Sequence, residues 1–104
     1  MGTVKATLVG VSNYDNPRTP NLEACKNDII AVKDALVNGL CVSQRDIRTL
    51  GSSGTVNINE LADELKIASM LVEADDTYIF YFSGHGNNGT LALSETNIRV
   101  QEVI

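Results

Sequence analysis

Two stretches of the chain are apolar without alternating, unlike a strand that has one face in water. The first spans residues 3–11 and is rich in valine, leucine and alanine, and the second spans residues 77–82 and holds two tyrosines and two phenylalanines. An unbroken apolar run is typical of a strand that is buried on both faces of a parallel sheet. A shorter run at 47–50 predicts a further strand, the second in chain order, between them.

Between these runs, apolar residues recur every three or four positions, which predicts two amphipathic helices. The apolar positions of the first helix are Cys25, Ile29, Val32 and Leu36. Asn38 and Gly39 are predicted to end it, with Gly39 in the left-handed conformation. Asn57 and Glu60 are predicted to begin the second helix as a capping box. Its apolar positions are Ile58, Leu61, Leu65, Ala68 and Val72.

The alternation of strand, helix, strand, helix and strand predicts an α/β fold. Right-handed crossovers at these lengths give a mostly parallel sheet with helices on both faces. Beyond the third strand, a turn at 87–89 and a hairpin formed by 90–93 and 98–100 are predicted. Residues 101–104 are expected to begin a further helix.

The charge balance excludes two classes of partner. The 104 residues include 13 acidic and 8 basic side chains, for a net charge of −5. Nucleic acids and anionic membranes both require a basic patch, so neither is expected as a partner. No apolar run of about 18 residues and no charged-then-apolar leader is present. We therefore expect a cytoplasmic protein without membrane attachment.

The two cysteines indicate neither a disulfide framework nor a metal site, which suits a reducing compartment. Cys25 lies near the start of the first helix, where the helix dipole would favour a thiolate, but it also belongs to the apolar stripe. Cys41 is predicted to pack as a small apolar side chain. The acids Asp15, Asp75 and Asp76 do not have the spacing of a calcium loop.

The only histidine, His85, follows the third strand directly and lies between Gly84 and Gly86. Ligands of open α/β sheets bind at the carboxyl ends of the strands, where chemistry is usually done. Glycine on both sides would let the backbone turn sharply and approach a substrate. From spacing alone two interpretations stay open: a catalytic histidine, or one that ends a strand and bonds a neighbouring carbonyl.

Two blocks resemble the caspase-like cysteine peptidases, and the metacaspase and bacterial caspase-homologue branch most closely. Residues 81–86 have the sequence Tyr-Phe-Ser-Gly-His-Gly and follow Asp-Asp-Thr at 75–77, like the histidine motif of that family. Residues 8–14 and 22–28 resemble its first strand and the start of its first helix. The resemblance implies a caspase-like three-layer sandwich. Residues 1–104 would form only its first part, without the segment that carries the nucleophilic cysteine.

This resemblance implies a cysteine endopeptidase component with His85 as the catalytic histidine and the backbone amide of Gly86 as an oxyanion donor. The pocket for the side chain before the scissile bond would be lined by Cys25, Asp28 and Ser83. An aspartate there would pair with arginine or lysine of a protein or peptide substrate. True caspases place a pocket arginine where this chain has Leu22, so cleavage after aspartate is not implied.

The expected partner is a C-terminal segment or separate chain that supplies the nucleophile, and residues 1–104 alone are expected to be inactive. No cofactor is evident, although calcium stays open because many metacaspases depend on it. One alternative is a catalytically inactive caspase-like module kept for binding or scaffolding, and another is a flavodoxin-like ligand-binding domain. Residues 84–89 also satisfy the dinucleotide pattern G-x-G-x-x-G, which we reject because the residues after them do not open a helix.

Overall fold

A parallel sheet of three strands forms the centre of the protein. The computed structural model describes residues 3–15, 17–87 and 90–99. The strands are β1 (Val4–Gly10), β2 (Ile47–Leu50) and β3 (Thr77–Ser83), in the spatial order β2-β1-β3. All the pairings are parallel, which confirms the predicted sheet.

Two helices form the crossovers between these strands. Helix α1 (Cys25–Gly39) connects β1 to β2, and helix α2 (Ile58–Leu71) connects β2 to β3. A single 3₁₀ turn, Gln44–Asp46, leads into β2. Within the part of the chain that the structure describes, no helix is long and apolar enough to cross a membrane.

The sheet separates two apolar cores, because successive side chains of a strand point to opposite faces. One core lies between the sheet and α1, and its buried members are Ala6, Leu8, Ile29, Leu36, Val42 and Ile47. The other lies on the α2 side, and its buried members are Val9, Val11, Val56, Leu61, Leu93 and Ile98. Helices therefore cover both faces, as the chain pattern predicts.

Strand β3 differs from the prediction in its burial. Residues 6–10 of β1 are all buried, but residues 78–83 of β3 are all half-buried. The physical reason is position: β1 has a strand on each side, whereas β3 is bonded only to β1 among the described residues. The prediction of a fully buried strand is wrong for β3, which is an edge strand here.

The end of α1 also differs from the prediction. Gly39 is helical, and the left-handed residue is Cys41, with φ of +56°. The Val42 N–H donates to the carbonyl of Leu36 at 3.0 Å. Val42 is thereby buried while Cys41 is exposed. The predicted packing of Cys41 is therefore wrong, because the reversal of the chain turns it outward.

The first turn of α2 is capped from a distance rather than by its own sequence. Asn57 makes no side-chain cap hydrogen bond, so the predicted capping box is wrong. Instead the Ile58 N–H donates to Oε1 of Glu95 at 2.6 Å. Val56 and Ser94 hold Glu95 there, since the Ser94 N–H donates to the Val56 carbonyl and the Val56 N–H to the Ser94 hydroxyl, both at 3.0 Å.

A second, antiparallel sheet follows β3. It consists of β4 (Gly86–Asn87), β5 (Thr90–Ala92) and β6 (Asn97–Arg99) in sequence order. The predicted hairpin is confirmed by the β5–β6 pairing. Thr90 begins a strand, which agrees with rejecting a dinucleotide loop. The predicted turn at 87–89 falls partly, and the predicted helix at 101–104 entirely, outside the described residues.

Charged side chains hold the amino ends of β1 and β3 together. The Asp76 carboxylate accepts hydrogen bonds from the Thr3 N–H at 2.9 Å, the Glu73 N–H at 2.8 Å and Lys5 Nζ at 2.8 Å. The Lys5 hydrogen bond and the two backbone donors hold the pKa of Asp76 far below its usual range. Lys5 Nζ also donates to the Leu71 carbonyl at 2.7 Å, so this ion pair joins both strands to the end of α2.

Candidate active site

The carboxyl ends of β1 and β3 lie side by side and begin the two loops of the candidate site. Gly10 pairs with Ser83, and the Val11 N–H donates to the Ser83 carbonyl at 2.9 Å. A side chain at Gly51 would collide with the Gly10 carbonyl, and Gly51 has a φ of +98°, so only glycine fits beside this strand end. The loop after β1 and the segment carrying His85 therefore start from one rigid edge.

Helix α1 begins at the same edge because β1 holds its first turn. The Ser12 hydroxyl accepts the Lys26 N–H at 3.1 Å, and the Ser12 carbonyl accepts the Leu22 N–H at 2.8 Å. A Cβ at Gly10 would lie 2.6 Å from the Cys25 carbonyl, so the glycine allows the helix to pack directly on the strand. The N-cap residue Ala24 makes no side-chain hydrogen bond, so Ser12 takes over its role and accepts the otherwise unpaired N–H of Lys26.

The first helical turn brings Asp28 against the end of β3. The Ser83 hydroxyl donates to Oδ2 of Asp28 at 2.6 Å, and both residues are half-buried. Cys25 lies one turn earlier on α1 and is only 5% exposed. The structure thus brings Asp28 and Ser83 together, while Cys25 presents little surface to a ligand.

The His85 ring is fixed by a backbone carbonyl in the loop after β1. Nε2 lies 2.8 Å from the carbonyl oxygen of Pro20. A carbonyl can only accept, so Nε2 must carry the hydrogen, and in the neutral ring Nδ1 is then the basic nitrogen. None of the described residues hydrogen-bonds to Nδ1. The interpretation of His85 as a residue that merely ends a strand expects a bond to a neighbouring carbonyl. That bond is present, but it leaves Nδ1 able to accept a proton.

Tyr14 contacts the same histidine from the other side. Its hydroxyl accepts the His85 N–H at 2.9 Å and donates to the Val11 carbonyl at 2.9 Å. The two rings meet edge to face, with centroids 4.8 Å apart and planes at 63°. Burial raises the pKa of Tyr14, so its hydroxyl stays protonated near neutral pH.

The glycines beside His85 provide close approach rather than an unusual backbone angle. Neither has a left-handed φ, so the expected sharp turn at glycine is not seen. A Cβ at Gly84 would lie 2.7 Å from the Tyr14 hydroxyl, and one at Gly86 would lie 3.0 Å from the Thr90 carbonyl. An added Cβ would therefore displace the Tyr14 hydroxyl at Gly84 and would press on the Thr90 backbone at Gly86.

The backbone amide of Gly86 points away from the neighbouring strand. The Ala92 N–H donates to the His85 carbonyl at 2.9 Å, which makes these two residues a hydrogen-bonded pair. Bonded and non-bonded pairs alternate in an antiparallel ladder, and Gly86 opposite Leu91 is the next pair. Its N–H is therefore directed out of the ladder, as an oxyanion donor requires.

A cleft of about 250 Å³ opens beside the imidazole. Its walls come from the loop after β1 and from the second sheet, and are formed by Arg18, Thr19, Pro20, His85, Gly86, Thr90, Ala92 and Asn97. The lining combines the guanidinium of Arg18 with backbone, hydroxyl and amide groups and short apolar surfaces. A peptide backbone could therefore reach the imidazole and the Gly86 amide together.

The nucleophile of a cysteine peptidase is not evident among the described residues. Cys25 is buried. Cys41 lies beyond the opposite end of α1, and a helix of 15 residues is about 22 Å long, so Cys41 is far from the edge that carries His85. Neither thiol shows a contact with His85. The described residues also contain no cluster of three histidine, cysteine or acidic side chains that could hold a metal ion.

Sequence reasoning missed two residues of this arrangement, Pro20 and Tyr14. Pro20 acts through its carbonyl, which every residue possesses, so no residue type identifies it. Tyr14 offered a signal, because it is the one aromatic residue in an otherwise polar loop. Large aromatic rings in such loops usually pack against something.

Comparison with known proteins identifies the class of protein that this fold and site define. The sequence model of the caspase domain matches residues 3–103, nearly the whole chain. The chain therefore belongs to the caspase domain family, a family of cysteine peptidases, and its α/β sheet with two helices corresponds to part of that fold. No curated protein and no solved structure gave a match.

Proposed function

We propose that this chain is the histidine-bearing component of a cysteine endopeptidase. The observation that carries the proposal is the bond between Nε2 of His85 and the Pro20 carbonyl, which leaves Nδ1 as the proton acceptor at the mouth of a cleft. A peptidase needs such a base because the thiolate, not the thiol, attacks the peptide carbonyl.

In the proposed reaction, Nδ1 takes the proton of an incoming cysteine thiol, and the sulfur attacks the scissile carbonyl carbon. The N–H of Gly86 stabilises the resulting oxyanion. The imidazolium then gives its proton to the leaving amine as the C–N bond breaks, which leaves an acyl-enzyme. Nδ1 next takes a proton from water, and the attacking hydroxide releases the acid and restores the thiol. The Pro20 carbonyl stabilises the imidazolium throughout.

The cysteine would come from a C-terminal segment or a separate chain that pairs with the open edge of β3. Two observations support this: residues 78–83 of β3 are only half-buried, and an apolar cavity of about 300 Å³ lies between α2 and β3. Its lining residues are Leu65, Ala68, Ser69, Val72 and Tyr78. A further strand would satisfy the unpaired backbone groups and bring a side chain at its carboxyl end beside His85.

We also propose cleavage after arginine or lysine. Asp28 holds a carboxylate at the end of β3, and one of its oxygens is bonded to the Ser83 hydroxyl. The other oxygen can accept a guanidinium or ammonium group, with the charge pairing that such recognition needs. Cys25 would contribute part of the pocket wall.

A catalytically inactive caspase-like module that binds or scaffolds is the second candidate. The observation in its favour is that the described residues place neither cysteine beside His85. The two candidates differ in one respect only, which is whether the segment that pairs with β3 carries a cysteine.

The test uses the complete catalytic assembly, meaning this chain together with the segment that pairs with β3. The wild type, His85→Ala and the control Thr49→Val are compared on peptides with arginine, lysine or aspartate before the scissile bond. We expect His85→Ala to lose at least about 1,000-fold in kcat with an unchanged melting temperature. Thr49 is exposed on β2, at the edge of the sheet opposite β3, so Thr49→Val should remain active. Undiminished cutting by His85→Ala would overturn the proposal, and an inactive wild type without a cysteine in that segment would establish the second candidate.

A further inference from the structure

The hydroxyl of Tyr14 makes two hydrogen bonds to the backbone, which a phenylalanine at this position could not make. We propose that Tyr14 is a positioning residue, whose hydroxyl holds the His85 backbone so that the imidazole meets the Pro20 carbonyl with Nε2 and leaves Nδ1 for the nucleophile. The consequence for catalysis rests on the proposed function. The consequence for the ring itself does not.

The first evidence is that one hydroxyl satisfies two backbone groups that follow two different strands. It donates to the carbonyl of Val11, just after β1, and accepts the N–H of His85, just after β3. Both hydrogen bonds are 2.9 Å long, and the hydroxyl has one hydrogen to give and lone pairs to receive. It thereby connects the ends of two neighbouring strands at the point where the His85 loop begins.

The second evidence is that the loop of Tyr14 makes both contacts with His85. The Tyr14 N–H donates to Oδ1 of Asn21 at 2.9 Å, which closes the loop between Tyr14 and Pro20. Pro20 then meets the ring nitrogen while the Tyr14 hydroxyl meets the backbone N–H of the same residue. Side chain and main chain of His85 are therefore held by one loop, and the edge-to-face ring contact limits rotation of the imidazole.

The third evidence is the space kept for the hydroxyl. A Cβ at Gly84 would lie 2.7 Å from it, inside any allowed contact. Glycine at this position is not explained by its backbone angle, because φ is not left-handed. The Tyr14 hydroxyl, which is the nearest group, and the Phe82 ring, two atoms of which would lie 3.1 Å from that Cβ, together explain it instead.

Nuclear magnetic resonance of the chain tests the positioning directly, because His85 is the only histidine. Long-range ¹H–¹⁵N correlation of the imidazole reports which nitrogen carries the hydrogen. We expect the wild type to show the Nε2–H tautomer predominantly, and Tyr14→Phe to show a mixture of both tautomers. The control is Tyr78→Phe, which removes a half-buried tyrosine hydroxyl bonded to Thr7 at the other end of β3. A tautomer ratio in Tyr14→Phe equal to that of the wild type would overturn the proposal.

A second variant reaches the same hydroxyl without removing it. Gly84→Ala should push the hydroxyl out of its position and give the same mixture of tautomers, while an unchanged ratio would contradict the proposal. Should Tyr14→Phe fail to fold, as judged by the amide signals of α1 and α2, the result for Gly84→Ala decides.

In the complete catalytic assembly, Tyr14→Phe should lower kcat about 10- to 100-fold with little change in KM, because the substrate pocket is intact while the base is misplaced. Thr49→Val, which removes an exposed hydroxyl from β2 at the opposite edge of the sheet, should stay within about 2-fold of the wild type. A raised KM with unchanged kcat would contradict the positioning role. An inactive wild type would defeat the proposed function alone, since the tautomer measurement stands without any turnover.

Discussion

The two ends of the parallel sheet both hold polar side chains, but they use them differently. At the amino ends of β1 and β3, the Asp76 carboxylate accepts three hydrogen bonds and its partner Lys5 donates two. At the carboxyl ends, His85 uses Nε2 for the Pro20 carbonyl while Nδ1 has no partner among the described residues.

This difference separates a structural role from a chemical one. A charged group whose bonding capacity is satisfied lowers the free energy of the folded state and resists change in protonation, as the depressed pKa of Asp76 illustrates. A group that is held firmly by one atom and left open at another can exchange a proton. Substitutions at the amino end should therefore change stability, and those at the carboxyl end should change activity.

After His85→Ala, the largest effect is expected at the carboxyl end for Asp28→Asn. In the complete catalytic assembly we expect kcat/KM for arginine and lysine substrates to fall about 10- to 100-fold, because the amide cannot pair with their charge. Ser83→Ala serves as a control and should cost less, since it removes only a neutral hydrogen-bond donor. Equal turnover of arginine substrates by Asp28→Asn would remove Asp28 from the pocket.

At the amino end, Asp76→Asn should lower the melting temperature by several degrees at pH 7. The folded-state pKa of Asp76 is depressed, so its stabilisation is complete above about pH 4 and is lost as the pH falls further. The difference between variant and wild type should accordingly shrink at pH 3. Asp63 is an exposed acid of α2, and Asp63→Asn should change the melting temperature much less, both at pH 7 and at pH 3. A variant whose deficit grows at low pH would contradict this account.

The order of elements could be predicted from the sequence because each rests on a local pattern. The unbroken apolar runs identify β1 and β3, and the spacing from Cys25 to Leu36 identifies α1. The half-burial of β3 could not be predicted from its apolar run alone, because the burial of a strand depends on which strands flank it in the sheet. The predicted Asn57 cap was wrong because Glu95, from a distant segment, accepts the first N–H of α2. The predicted left-handed Gly39 was wrong because the chain reverses two residues later, at Cys41.

The residues of the candidate site also divide into those that the sequence could predict and those that it could not. His85, Gly86, Asp28 and Ser83 follow from a family resemblance in short motifs, and the structure brings Asp28 and Ser83 into contact. Their roles stay predictions. The Pro20 carbonyl could not be predicted from the sequence, because every residue has a backbone carbonyl and only the folded loop places this one beside His85.

The remote cap of α2 gives a smaller effect. Glu95→Ala should reduce the free energy of unfolding by about 1 kcal/mol, because the Ile58 N–H loses its acceptor. Asn57→Ala, at the position that the sequence favours for the cap, should change it far less. Chemical denaturation of both variants measures the difference, and a larger loss for Asn57→Ala would restore the local capping box.

The smallest effects are expected at the end of α1, and both should be stabilising. Gly39→Ala should add about 0.5–1 kcal/mol, because Gly39 is helical and a Cβ there meets nothing within 4 Å. Cys41→Gly should add up to about 1 kcal/mol by relieving the left-handed backbone at φ of +56°. Thermal unfolding tests both, and destabilisation by Gly39→Ala would show that Gly39 is the left-handed residue after all.

The central claim is that His85 serves a cysteine supplied from outside the described residues. The most direct measurement is to treat the complete catalytic assembly with a peptidyl chloromethyl ketone ending in arginine, digest it and locate the modified residue by mass spectrometry. The account predicts a label on a cysteine in the segment that pairs with β3, and no label in His85→Ala. A label on Cys25 or Cys41 would contradict it.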